Sequence, residues 1–474
     1  MLELPELERL SPSEKDDLIR ALFAHVHSLA QQVAALSAKV AELEGRLAKN
    51  SQNSSKPPSS DGLSRPQPKS LRKATGKPNG GQKGHSGQTL KQVAEPDHIE
   101  IHEAPDTCDA CGAVLAKGEL AEKRQVFDLP KLKHVVTEHR VLQVCCPCGK
   151  RHRGVFPVAV SAPVQYGPGV KAAVVHLTHH HMQPLARTGS LMGDLFGLPI
   201  SEASVLAIHT EARKRLAPTV QAIGEAIQDS PVAHADETGM RVRRSLQWLH
   251  VLATPFLTWM GCHQHRGKKA FDAFGIHGEF TGTLVHDGWR PYRDLACLHA
   301  LCNAHHLREL TYVFEEMKQA WAGELIEHLL AAYQEVNEAG GPLTSERIAF
   351  YQTGYHAILE DGEAHNPRAP RSGKRGGTKQ SKALNLIDRL RIYADDVWRF
   401  ATDPGVPFSN NVAEQAVRMP KVKQKISGGF RTIPGLETFC TIRSYLATLH
   451  KQGANLYSAL TQVFDGNVPQ PRFA

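Results

Sequence analysis

No run of about 18 apolar residues occurs in the 474-residue chain, so no membrane span is expected. The stretch Met1 to Glu6 has no basic n-region and no apolar h-region. It does not read as a secretory signal, and a bacterial-type cytoplasm is the expected location. Acids are nearly missing from residues 50–93, where Lys56, Arg65, Lys69, Arg72, Lys73, Lys77, Lys83 and Lys91 stand against Asp61 alone. Apolar periodicity is missing there too, and Pro57, Pro58, Pro66, Pro68 and Pro78 exclude a regular element. A flexible basic arm that follows a phosphate backbone is expected, with a merely solvated linker as the plain alternative. The nine cysteines are odd in number and five crowd into positions 108–148, so without an export signal metal binding is favoured over disulfides. The net charge of +8, unevenly spread, points to a polyanionic partner. With 41% hydrophobic residues the chain can bury a sizeable core, and its length suits roughly two to four domains.

What is present is ordered along the chain. Ile19, Val26, Val33, Val40 and Leu47 alternate with Leu22, Leu29, Leu36 and Leu43 in heptad positions a and d. This spacing predicts a parallel two-stranded coiled coil over residues 1–50, begun by Ser11, Pro12 and Glu14. Residues 94–157 carry Cys108-x-x-Cys111 and Cys145-x-x-Cys148, each followed by glycine, with strand-like runs at Val135–Thr137 and Val141–Val144. Four thiolates so placed suit structural Zn²⁺ in a small ribbon-like module, and Cys146 competes with Cys145 as a ligand. The alternative is buried, unliganded cysteines. Residues 158–228 read as helical. The turn Phe196–Ser201 is compatible with a helix-turn-helix, though a helical hairpin is the plainer reading. His179, His180 and His181 cannot share one helix face and are not read as a metal site.

From residue 229 the period changes. Three strand-like runs, a short helix at Gly267–Phe274 and a fourth strand follow in order. The runs ending at Asp236 and Asp287 each put a carboxylate at a strand end, and side-by-side first and fourth strands would join them. Residues 301–400 are mostly helical and include a basic loop with Lys374 and Arg375. Glu414 then lies one turn into a helix, with Arg418, Lys421 and Lys425 near its face. Two strand-end acids and a helical one can hold a pair of Mg²⁺ ions for phosphodiester chemistry. Each part has an ordinary alternative: with Asn411 as N-cap, Glu414 would complete a capping box, and a strand-end aspartate is often a turn residue.

Several signatures occur together and in order. They are Asn53–Asp61, Gly80–His85, the two Cys pairs, Asp236-Glu237-Thr238, Asp287-Gly288-Trp289 with Tyr292, Cys302-x-x-His305-x-x-Arg308, and Asn410-Asn411-x-Ala413-Glu414 with Arg418. Over nearly its whole length the chain resembles the DDE transposases of the insertion-sequence-66 family. The resemblance implies a multidomain α/β protein. A ribonuclease-H-like catalytic core spans 229–440 with a helical insertion at about 310–400. A coiled coil (1–50), a basic linker (51–93), a zinc module (94–157) and a helical DNA-binding region (158–228) come before it, and a helical tail (441–474) follows. It implies a triad of Asp236, Asp287 and Glu414 holding two Mg²⁺, and zinc at Cys108, Cys111, Cys145 and Cys148. Lys56, Arg72, Lys73, Lys77, Lys374, Arg375, Arg418, Lys421 and Lys425 are expected on double-stranded DNA. His305 and Arg308 would orient DNA or a carboxylate. The family relatives act with accessory proteins of the same element. Asn303 departs from the pattern, standing where many relatives have Trp. Two other classes are a dimeric zinc-containing DNA-binding regulator with an inactive core, and a scaffold whose acids cap helices.

Overall fold

Helix α1 (Pro12–Leu47) begins as its sequence dictates. Ser11 Oγ accepts from Glu14 N–H at 3.4 Å, and Glu14 Oε2 accepts from Ser11 N–H at 2.8 Å. The apolar residues of both heptad positions, from Ile19 to Leu47, are exposed along its length. At its C-terminal end, Gly45 O accepts from Tyr312 Oη at 2.9 Å. This computed structural model describes residues 10–54, 90–130, 132–275, 280–370, 378 and 380–473.

Among the described residues of 90–164, strand structure is limited to the antiparallel pair β1 (Gln143–Cys145) and β2 (Arg151–Arg153), with one isolated bridge between Thr107 and Val114. The strand expected at Val135–Thr137 does not form. Val126, Val135, Val155 and Val158 are exposed, and no residue of this region joins a buried cluster. His134 ties it to the next region, its N–H bonding Phe196 O at 3.3 Å.

A mixed α/β body follows. After α2 (Pro168–Val175), a π-helical turn (His176–His180) and α3 (Leu185–Phe196), Gly197 closes the helix in the left-handed conformation that glycine tolerates. Helix α4 (Glu202–Gln228) is capped by Ser201 and buries Val205, Ile208, Ala212, Leu216 and Ile223. It packs into the sheet's core rather than standing free as a groove-reading helix. The sheet holds β3 (Val232–Val242), β4 (Ser245–Ala253), β5 (Thr258–His263), β6 (Thr283–His286) and β7 (Leu298–Leu301), in the order β5-β4-β3-β6-β7. The first three are antiparallel; β6 and β7 run parallel to β3. Helix α5 (Lys268–Phe274) lies between β5 and β6.

Period-two alternation gives β3 two faces. Ala233 and Ala235 enter one cluster with α4, while Met240 and Val242 enter another. The second cluster includes Val417 of α11 (Asn411–Ser427) and Phe439 of α12 (Ile433–Lys451). Helix α13 (Leu456–Asp465) adds Leu460 and Val463 to the first. The edge of β5 is covered by hydroxyls one helical turn apart on α12: Met260 N–H bonds Ser444 Oγ (2.8 Å) and Thr258 N–H bonds Thr448 Oγ1 (3.0 Å). A covered edge cannot recruit a foreign strand.

Between β7 and α11 lie α6 (Asn303–Glu315), α7 (Ala320–Ala339), α8 (Ser345–Ala364), α9 (Lys382–Ile392) and α10 (Ala394–Thr402). They close around Trp321, Leu325, Tyr355, Leu390 and Trp398, all essentially fully buried. The insertion therefore has its own core. It leaves and rejoins the sheet at one place, where Asn303 N–H bonds Phe408 O at 3.0 Å. Among the described residues no helix is long and apolar enough to cross a membrane.

Candidate active site

Asp236 is not at a strand end, as the sequence suggests, but in the middle of β3. Its antiparallel ladder with β4 continues to Val242. The parallel ladder with β6 stops at His234↔Val285. Past His234, that edge of β3 has no strand beside it, and Asp236 and the loop after β6 share the gap. Asp287 directly follows His286, the last residue of β6, and its Oδ1 accepts from Trp289 N–H at 2.9 Å. It is exposed.

Helix α11 fills the rest of this edge and is tied to β3 at both its ends, by a side chain before it and by main chain after it. At the start, Asn410 is buried; its Nδ2 donates to Ala235 O (2.7 Å) and its Oδ1 meets His234 Nδ1 (3.0 Å). Along the helix, Lys421 Nζ donates to Gly239 O at 3.3 Å. After it, Phe430 N–H bonds Arg241 O (2.8 Å) and Arg243 N–H bonds Phe430 O (2.9 Å). Gly429 allows this close approach: its φ is +134°, and a Cβ there would lie 2.5 Å from Arg241 O. The N-cap is Asn410, not Asn411, and its side chain does not cap the helix. Glu414 is thus displaced from the capping-box position and reaches no backbone N–H. Its Oε1 instead lies 3.7 Å from both Cys302 Sγ and His305 Nδ1.

Electrostatics tie the three acids together. Burial, then the charges of Glu237, Asp287 and Glu414, push the Asp236 carboxyl well above the usual range, against the Glu237 N–H that favours its ionised form. The carboxylates face one another closely enough to repel, without packing as a trio within 4.8 Å. An all-oxygen donor set under mutual repulsion fits a hard divalent cation. A stability consequence follows. The folded chain keeps the Asp236 proton that the unfolded chain loses at about pH 4, so stability falls as pH rises toward the folded pKa. Metal-free Asp236→Asn should therefore melt higher than the parent at neutral pH. The difference should vanish below pH about 4, and melts across pH in EDTA measure it.

Glu237 belongs to the Asp236-Glu237-Thr238 signature, which gives it no role of its own. It points from the opposite face of β3, where Tyr292 Oη donates to Oε2 and Arg266 Nε donates to Oε1 (2.7 Å). Arg266 stacks over Trp289 (4.0 Å to the ring centroid) and Trp248 (4.9 Å). Burial raises the Glu237 carboxyl, opposed by Tyr292 and Arg266. The signal available in sequence was the Asp-Glu pair itself, since neighbours on a strand face opposite ways.

His305 and Arg308 lie on α6 beside Glu414. Burial and the charges of Arg308 and Arg389 depress His305 to about 3, leaving a neutral imidazole. Burial and the Glu414 charge push the Cys302 thiol up to about 12. Arg308 Nε is buried and has no hydrogen-bond partner among the described residues. Arg418 and Lys425 are exposed, whereas Lys421 is half-buried and drawn toward Asp236. Lys56, Arg72, Lys73, Lys77, Lys374 and Arg375 lie outside the described residues.

The cysteine pairs form two separate turns. Gly112 N–H bonds Cys108 O (2.9 Å), and Gly149 N–H bonds Cys146 O (2.8 Å). Neighbouring backbone N–H groups lower the Cys108 and Cys148 thiols, with help from Cys111 and Cys146 respectively, a donor chemistry that fits thiolate–metal binding. No three of Cys108, Cys111, Cys145 and Cys148 stand within 4.8 Å of one another. Of the histidine run, His179 is buried with Nδ1 2.9 Å from Thr178 Oγ1, and His181 is exposed.

Two family models match the chain. Residues 163–438, which contain Asp236, Asp287 and Glu414, match the family model described as Transposase IS66 family. Residues 2–91 match a family of unknown function, DUF6444. No curated protein matches the chain.

Proposed function

Since the chain belongs to the IS66 transposase family, we propose that it cleaves the ends of an insertion sequence and joins the freed 3′ hydroxyls to target DNA by transesterification. The observation that carries this reading is that Asp287 and Glu414 both act on Asp236, raising its carboxyl, at the edge of β3 that β6 leaves open. The strand order supports a ribonuclease-H-like core, since β3 is central and pairs with β6 in parallel. Asp236, Asp287 and Glu414 would hold two Mg²⁺ ions. Bound there, the ions supply an activated water and charge stabilisation at the leaving 3′ oxygen.

The chain's own residues do the rest. Asn410 and Phe430 hold α11 so that Glu414 stays beside Asp236. Arg418 and Lys425, exposed on the same helix, meet the phosphates that flank the scissile bond. The reaction forms no covalent enzyme intermediate, because each attacking oxygen, of water and then of a 3′ hydroxyl, displaces another at phosphorus. Incubating the full-length protein with Mg²⁺ and a labelled terminal repeat should give nicked ends. Binding without nicking would leave a DNA-binding regulator.

The exposed seam of α1 supports a parallel coiled coil that brings two protomers, one per element end. Leu22→Glu with Leu29→Glu should convert the dimer to monomer at micromolar concentration. Sedimentation equilibrium reads this, and an unchanged mass would exclude the seam as the interface. The four cysteines are proposed to close on one zinc ion, with the basic arm gripping the DNA backbone. Accessory proteins of the element are proposed partners.

A further inference from the structure

We propose that Cys302, His305 and Glu414 form a second metal site, for a borderline-soft divalent cation of the zinc class, joining the start of α6 to α11. The site stands on three ligand atoms and not on the transposase reading, although it shares Glu414 with it. Among the described residues, these are the only three His, Cys, Asp or Glu side chains whose ligand atoms lie within 4.8 Å of one another. The distances from Glu414 Oε1 to Cys302 Sγ and to His305 Nδ1 are both 3.7 Å. Zinc bonds of about 2.0–2.3 Å in a tetrahedron set neighbouring ligands roughly 3.3–3.8 Å apart. Two edges of that tetrahedron are therefore already near their final length.

Burial keeps Cys302 a thiol in the metal-free chain, and the charge of a bound cation would offset that, helped by one contact already in place. Asn410 N–H points at Cys302 Sγ at 3.1 Å, a contact that strengthens when the sulfur is charged. His305 Nδ1 has no hydrogen-bond partner among the described residues. Cys302 is the N-cap residue of α6 and His305 lies one turn on, so both ligands rise from the same helical turn. A sulfur, a nitrogen and one oxygen select zinc over magnesium, which takes oxygen. Binding releases the Cys302 thiol proton to solvent. The site uses one Glu414 oxygen and leaves the other for the acidic pocket. Water takes the fourth position. The ion would brace the carboxylate whose helix is held to β3 at both ends.

The test is metal stoichiometry of the full-length protein, stripped with EDTA and reloaded with Zn²⁺ or Co²⁺. It is done in the parent and in a Cys108→Ser/Cys111→Ser background, which disables the cysteine module. In both, Cys302→Ser should lower the zinc content by one ion per chain and remove a cobalt–thiolate charge-transfer band. His305→Gln should weaken binding about tenfold or more. His305 is partly exposed, so this variant carries the test if Cys302→Ser does not fold by circular dichroism. Unchanged stoichiometry and affinity in His305→Gln overturns the site. Asp287→Asn should keep the metal while losing cleavage, so failure of this site and failure of the catalytic reading are told apart.

Discussion

Asp287→Asn should abolish strand cleavage, by roughly a thousandfold or more, while DNA affinity stays within about twofold. The substitution is mild for the fold. Asp287 is exposed, and its Oδ1 accepts from Trp289 N–H, a bond that an asparagine amide can reproduce. Stability should therefore stay within about 0.5 kcal/mol of the parent. What is removed is a formal charge beside Asp236, and with it the oxygen donor expected to hold the cation. The assay pairs a labelled terminal repeat in Mg²⁺ with a mobility shift of the same DNA. Metal-dependent cleavage at the parent rate in this variant would remove Asp287 from the site and with it the triad.

Asn410→Ala should have the largest effect on stability of any change at the site, about 2–4 kcal/mol. Its amide makes two buried bonds, to Ala235 O and His234 Nδ1, and alanine leaves both partners unsatisfied. The loss falls on the start of α11, so cleavage should drop by about tenfold or more in protein that is still folded, with DNA affinity nearly unchanged. Urea unfolding gives the first quantity and single-turnover cleavage the second. Asn410→Asp keeps an acceptor toward His234 and loses the donor to Ala235 O, so it should fall between the two. Parent-like stability in Asn410→Ala would mean that Phe430 and Lys421 alone hold the helix.

Much of the candidate site was legible because chemistry and period coincided. Asp236, Asp287 and Glu414 each sat at a change of period, and the order of three strands, a helix and a fourth strand put β3 beside β6. The errors were of three kinds. Strand β3 was read as ending at Asp236 because a charged pair interrupts its apolar run; the ladder with β4 carries it on to Val242. Strand β7 was missed because it is four residues long and only its last two residues are buried. Asn410 was passed over because Asn411 offered an ordinary cap, and no local pattern reveals a side chain that bonds a strand far away in sequence. The cysteine spacing was plain, yet spacing alone does not bring two turns to one ion.

The bond between Asn303 N–H and Phe408 O has a wider consequence. Five helices leave and rejoin the sheet there, and the lobe they form also rests on it: Arg399 Nε donates to His299 O at 2.7 Å, and His305 of α6 lies beside Glu414. A rearrangement of its inner helices would therefore reach the acid beneath. Only its outer surface is free to diversify for whatever the lobe must touch.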